Sequence, residues 1–586
     1  MSHVKVVLFV SGKGADETKY KPNSDQSQWW GRHDALVRSV AAFLFGPAAP
    51  AGCTRELVLI FDEDFCVMEM WIDAISSAIF PSEQNIISAW KDATKRLASS
   101  PNGEATTSNL GLNCRIRAPR KSSAPGKLEN RSKREILESI QKSCSMEFLR
   151  EHGLNCSLSV ALKKVNRKLA NRLWHQWKSK QTQKGKTEST QQGALEDILS
   201  KLLEPSRVAR DTGDNDSNRV VAGILHESGE WELPVWGRKI PPKERNNPLQ
   251  ACFFLGAVRD MSKVEKGCLL KVASRKKVPL VKVRLGPVAE FTSKILTVVA
   301  FHQSCGVLDQ SLLKLMDGRK SAGNDQQDSI SRKRPREKQS SQTKPVPVPS
   351  MHIVMSVPIN TNNLTNDLNA RTRVLWCIIR CTVVSLWRSR LAGSTDRALP
   401  LKVLLTMCFL NDQSLTLDQE FVRPMAERHQ AAPSEFQILT SLQTMIQKEK
   451  TPMKVKAKLV EVVNTATRDS GGQHCFAIDM LNHDGTKDAG RDLSEYFYSQ
   501  GKKSTDVQSQ NVVVLMSIDN GDATVVNSLA RIRRKFAKAC QKAGVPLTQG
   551  HLLASNTCQD REASIITLLQ HFSYQKCLSQ IAPSNS

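Results

Sequence analysis

Short, unbroken apolar runs alternate along this chain with longer stretches in which apolar side chains return every third or fourth residue. VKVVLFV at Val4–Val10 is of the first kind, the pattern of a strand buried on both faces. GRHDALVRSVAAFLFG at 31–46 has helical spacing, and RELVLIFD at 55–62 reads as the next strand. After residue 350 the rhythm returns: strand HIVMSVPI at 352–359, helix ARTRVLWCIIRCTVVSLWRS at 370–389, strand LKVLLTMC at 401–408. Strands that alternate with helices predict an α/β fold with a mostly parallel sheet.

The ends of the two parts match as well. ACFFLGAVRD at 251–260, a helix, and VPLVKVRLGPVAEFTSKILTVVAFHQ at 278–303 correspond to VVVLMSIDNGD at 512–522, a helix, and VPLTQGHLLASNTCQDREASIITLLQHF at 545–572. TSKILTVVAFH and EASIITLLQHF share one apolar spacing, which reads as a duplication. In the second part FAIDML at 476–481 predicts a further strand, followed by a helix over Arg491–Ser499.

Between these patterned parts the periodicity fades. Ser99–Lys133 and Gly318–Pro349 are rich in polar, basic and Pro residues and read as linkers that cannot offset their ordering entropy. A helical pair is expected over Arg131–Lys180. The predicted organisation is a first unit over 1–98 and 219–317, a basic insertion with helices over 99–218, a disordered linker over 318–350 and a second unit over 351–586.

Charge sharpens this picture. The net charge of +26, from 83 Lys+Arg against 57 Asp+Glu, favours a polyanionic partner. It concentrates in the two linkers and in Leu158–Lys180, where Lys163, Lys164, Arg167, Lys168 and Arg172 face away from an apolar stripe of a predicted helix. Such a face could hold RNA phosphates, with Trp174 stacking on an unpaired base. Only 5% of residues are aromatic, which argues against an extended base-stacking platform. Arg332-Lys333-Arg334-Pro335-Arg336 fits a nuclear-import signal, so a nuclear or nucleolar location is expected, with the cytoplasm as alternative.

Other chemistries find little footing. No apolar run reaches membrane-spanning length, so no membrane partner is expected. The fifteen cysteines form no CxxC pair, so no metal site is expected and a reducing compartment is favoured. Gly12-Lys13-Gly14 lacks phosphate-loop spacing, and His302 and His571 have no Ser or Cys companion.

The order strand, Gly loop, helix, strand, Leu285-Gly286-Pro287, helix resembles the C-terminal half of the SPOUT RNA methyltransferases. GRHDALVRSVAAFLFG resembles the Arg-x-Asp helix start of their pseudouridine-N1-methyltransferase branch. The resemblance covers about the first 100 and last 70 residues of the first part, and the second part resembles the family only through the first. It implies two knotted SPOUT-like units, the second degenerate: that unit lacks Leu-Gly-Pro and has Arg373 where the first has Asp34. It also implies S-adenosylmethionine as cofactor, held by Leu255, Gly256, Arg284, Leu285, Gly286, Pro287, Thr292 and Ser293. Arg32 would clamp a phosphate or base oxygen, and Asp34 would act as general base. The bland alternative for Asp34 is an N-terminal helix cap.

The expectation is therefore an S-adenosylmethionine-dependent base methyltransferase of rRNA or tRNA. Its two units would form an intramolecular pseudo-dimer, with Arg371 or Arg373 lent by the second, or the chain would form a homodimer. The alternative is a catalytically inactive RNA-binding or ribosome-assembly protein of the same fold.

Overall fold

The structure is a computed structural model. It describes residues 2–14, 33–50, 52–72, 81–100, 102–109, 111–118, 187–204, 219–226, 231–232, 249–257, 260–285, 292–306, 308, 350–366, 373–387, 401–411, 413–429, 433–447, 459–469, 475–481, 491–494, 511–518, 523–553 and 559–574.

The first half runs β1 (Ser2–Val10), α1 (His33–Leu44), β2 (Thr54–Phe61), β3 (Val67–Ile72), α2 (Glu83–Ala98), β4 (Glu104–Asn109) and β5 (Leu112–Arg117). It continues through α3 (Thr187–Leu202), β6 (Arg219–Leu225), β7 (Trp231–Glu232), β8 (Leu249–Gly256), α4 (Lys263–Arg275), β9 (Leu280–Arg284) and α5 (Thr292–Ser304). The second half runs β10 (Ser350–Val357), α6 (Thr361–Asn366), α7 (Arg373–Leu386), β11 (Lys402–Phe409), β12 (Ser414–Leu417), α8 (Gln419–His429), α9 (Glu435–Gln447) and α10 (Leu459–Asp469). Then follow β13 (Cys475–Asp479), β14 (Arg491–Asp492), β15 (Asn511–Ser517), α11 (Ala523–Lys542), β16 (Leu547–His551) and α12 (Arg561–Tyr574).

Each half builds its own mixed, mostly parallel sheet. The strand orders are β4-β5-β3-β2-β1-β8-β6-β9-β7 and β12-β11-β10-β15-β13-β16-β14. The parallel strands β2-β1-β8-β6-β9-β7 correspond one for one to β11-β10-β15-β13-β16-β14. In both, the strand that follows the long helix after the central strand's neighbour skips past its predecessor: β9, after α4, passes β8 to pair with β6, and β16, after α11, passes β15 to pair with β13. β1 and β10 lie inside their sheets, which is why both are nearly unbroken Val, Ile, Leu, Met and Phe.

Two expectations are corrected. The predicted linker Ser99–Lys133 begins with the β4–β5 hairpin at the edge of the first sheet. Ala105, Cys114 and Ile116 turn inward, and Arg115 and Arg117 close on Glu69 of β3 across the strand pair. The predicted helix over Arg491–Ser499 opens as the short strand β14, which pairs with β16. The 131–180 helical pair and the 318–349 linker lie outside the described residues.

By compactness the chain divides in two. One unit comprises Pro119–Leu202 and Ser262–Lys276, and so takes in α3 and α4. There a reciprocal cap, Ser262 N–H to Glu265 Oε2 at 2.6 Å and Glu265 N–H to Ser262 Oγ at 3.2 Å, starts α4. Lys271 and Arg275 of α4 lie 2.7 and 3.5 Å from the Glu196 carboxylate of α3. The other unit holds both sheets and all remaining helices.

Within that larger unit the halves share a core. Buried residues of α1, α5, α7 and α12 belong to one continuous apolar cluster. Phe301 and Phe572 meet edge to face, 5.7 Å between centroids, and Lys294 reaches the Gln570 side chain. Among the described residues no helix is long and apolar enough to cross a membrane.

Candidate functional site

All parallel strands of the first sheet end on one edge, the edge at which α/β sheets place their ligand crevices. Four strand-end loops there are tied to one another. Asp62 N–H donates to Val10 O, and Ala257 N–H to Phe9 O, which fastens the ends of β2 and β8 to β1. Gly12 N–H donates to Asp62 Oδ1 at 2.8 Å, and Gly14 N–H to Asp64 Oδ1 at 3.2 Å. The amides of Gly12 and Gly14 are therefore taken by carboxylates rather than left open for a phosphate. Gly12 sits at φ +118°, a conformation only glycine adopts easily.

The predicted cofactor residues divide three ways. Leu255 is buried near the end of β8, and Gly256 closes that strand opposite Phe9. Thr292, the first residue of α5, donates its hydroxyl to the Gly256 carbonyl (3.1 Å) and the Ala257 carbonyl (2.8 Å). A side chain 36 positions away in sequence thus locks the Gly loop to the helix that follows β9. Ser293 is buried, and its hydroxyl makes no hydrogen bond. Arg284 ends β9 and Leu285 follows, half-buried against the core. Gly286 and Pro287 lie outside the described residues, as do Arg32, Arg371, Lys163, Lys164, Arg167, Lys168, Arg172 and Trp174.

Asp34 sits in the first turn of α1, 1% exposed, with Arg38 Nη2 on its Oδ2 at 2.9 Å. Arg38 also donates from Nη1 to the Pro433 carbonyl of the second half at 3.1 Å. The carboxylate is thus held by a one-turn ion pair that joins the halves. Arg38 and Arg380 occupy equivalent places counted back from the ends of α1 and α7. Arg380, equally buried, grips Asp560 with Nε and Nη2 at 3.2 and 2.6 Å. Arg373 lies 3.8 Å from Glu562 of its own half.

Between these arginines the repeated Pro-Ser-Glu helix starts face each other. Glu83 N–H donates to Glu435 Oε2 at 3.2 Å, and Trp376 Nε1 donates to Glu435 Oε1 at 3.1 Å. Among the described residues no side chain donates to either Glu83 carboxyl oxygen. Burial, then the nearby Glu435 and Asp34 carboxylates, push the Glu83 carboxyl well above its ordinary range, against a smaller pull from Arg38. Burial also raises Glu435. Sequence reading missed this cluster, although the shared Pro-Ser-Glu triplets were its signal.

At the equivalent edge of the second half the chemistry differs. Ser517 stands where the first half has Gly256, and Ile518 N–H donates to Ser356 O as Ala257 does to Phe9. Glu562, buried, stands where the aligned segment has Thr292. Asp479 ends β13 in an ion pair with Arg533 of α11 at 2.7 Å, where β6 has the apolar Ile224.

No protein-family model matches this chain, and no curated protein matches it significantly.

Proposed function

We propose that the first half is an S-adenosylmethionine-dependent RNA base methyltransferase of the SPOUT type, acting on rRNA or tRNA, and that the second half has lost cofactor binding. The junction of Thr292 with the Gly256–Ala257 loop carries this reading. Two segments expected from sequence to enclose the cofactor meet there, at the ligand-bearing edge of a parallel sheet. A trefoil knot in each half belongs to the same reading, supported by the late strand that passes its predecessor in both sheets.

Gly256 admits close backbone approach, and the Thr292 hydroxyl holds its loop in one position beside the start of α5. Bound S-adenosylmethionine would supply the methyl group: its S–CH3 bond would break as a base nitrogen lone pair forms the new bond, and the nitrogen's proton would pass to solvent. Positioning supplies most of the acceleration in such a displacement. Asp34, engaged by Arg38, suits holding α1 in place better than accepting that proton. Delivery to the nucleus by Arg332–Arg336 completes the proposal.

Calorimetric titration of the full chain with S-adenosylmethionine tests it. Binding that Gly286→Trp abolishes is the expected result. A folded chain that binds none overturns it and favours the second reading, an inactive RNA-binding or assembly protein. The buried Asp34–Arg38 pair is the observation on that side.

A further inference from the structure

We propose that α11 of the second half is a docking surface for the phosphate backbone of RNA. The proposal rests on the RNA reading above for the nature of its partner, and not on methyl transfer. Over Ala523–Lys542 the helix carries Arg531, Arg533, Arg534, Lys535, Lys538 and Lys542 and no acidic residue. Phe536, Ala539 and Cys540 pack inward with Val513 and Leu515 of β15, so the apolar side of α11 is spent on the core. Arg531, Arg534, Lys535, Lys538 and Lys542 are all exposed. Their spacing of three and four residues lines them up on one face, and at 1.5 Å per residue the stripe is about 16 Å long.

The stripe is not neutralised from within. Arg534, Lys535, Lys538 and Lys542 have no carboxylate within salt-bridge distance among the described residues, whereas Arg533 turns in to Asp479. The counterpart α4 shows the contrast, since Glu196 takes up both Lys271 and Arg275. A membrane-surface helix would keep an apolar face for the lipid. Over Asn527–Lys542 the apolar side of α11 turns to the core through Phe536, Ala539 and Cys540, and among the described side chains the exposed positions other than the cations are Asn527, Ala530 and Gln541. A straight row of cations without an apolar border suits a regularly spaced polyanion.

The experiment compares the full chain with a variant carrying Arg534→Glu, Lys535→Glu, Lys538→Glu and Lys542→Glu, both confirmed folded by thermal melting. The probe is a fluorescently labelled poly(U) strand titrated at several salt concentrations. The variant is expected to bind about a hundredfold more weakly, with a log–log salt slope shallower by about 3, since single strands give roughly 0.7 per phosphate contact. A control with Lys263→Glu, Lys266→Glu, Lys276→Glu and Lys277→Glu on and beside α4 is expected to change affinity less than about threefold. Equal affinity and slope in the α11 variant, an equal loss in the control, or tighter binding of phosphatidylserine vesicles than of poly(U) would overturn the proposal. If S-adenosylmethionine fails to bind while the α11 variant still loses poly(U), the enzymatic reading falls and the docking surface stands.

Discussion

The two halves repeat one plan, yet they place their charge in opposite ways. In the first, the end of β8 meets the start of α5 through neutral groups: Gly256, Ala257 and the Thr292 hydroxyl. In the second, Ser517, Glu562 and the Asp479–Arg533 pair occupy that edge, and cations crowd the outside of α11. The buried arginines also differ. Arg38 bonds a carboxylate on its own helix and a carbonyl of the other half, whereas Arg380 grips Asp560 at the start of α12. A shared backbone therefore dictates where a polar group must be answered, and the side chains decide how. One half is left with a loop tied down by a hydroxyl and the other with a charged exterior.

The largest break in this comparison should come from Arg380→Met. It strands Asp560 in the core, and removing one partner of a buried pair costs about 3–5 kcal/mol. Urea denaturation should register the loss, and adding Asp560→Leu should recover most of it. Full retention of stability in the single variant would show that the pair holds nothing.

Acid should act on both halves through His302 and His571. Burial holds them at about 4 and about 3, with His302 adding to the drop at His571. The unfolded chain takes up these protons near pH 6.5 and the folded chain resists them. Stability is therefore complete above pH 6.5 and falls as pH drops toward 4, by roughly 3 kcal/mol per histidine. His302→Phe should flatten that part of the pH–stability curve.

Glu83 works in the opposite sense. Its folded carboxyl keeps its proton to higher pH than the unfolded chain, which ionises above about pH 4.5. Stability then declines as pH rises through that range. Glu83→Met should raise stability by about 1–3 kcal/mol, because it removes a carboxyl whose burial, beside Glu435 and Asp34, is its largest cost. The gain should be larger at pH 8 than at pH 5, and a gain independent of pH would refute the assignment.

The smallest effect concerns the edge itself. Thr292→Val removes the hydroxyl that bridges to Gly256 and Ala257, a loss of about 1 kcal/mol in stability. Glu562→Gln at the matching place should leave S-adenosylmethionine binding unchanged.

Much of this architecture could be read from the chain. β1, β2, β10 and β11 are buried on both sides, so their apolar runs are continuous, and α1 and α7 carry plain helical spacing. β4 and β5 escaped because an edge hairpin buries only one face, and Thr106, Ser108 and Glu104 look like loop residues. At the site, Thr292 was anticipated and its partners were not, since a bond across 36 positions depends on the sheet order. The Asp34–Arg38 spacing was a legible one-turn ion pair. What sequence could not supply was the Pro433 carbonyl that completes it from the other half.

The shared core of the two halves also bears on how such a chain can change. In an assembly of identical subunits, every substitution is made twice and meets its own image across the axis. Here the image can be altered alone. Glu83 and Glu435 still face each other as a symmetric pair would, but only Glu435 has acquired a tryptophan donor. Covalent linkage thus lets one half change without forcing its twin to follow.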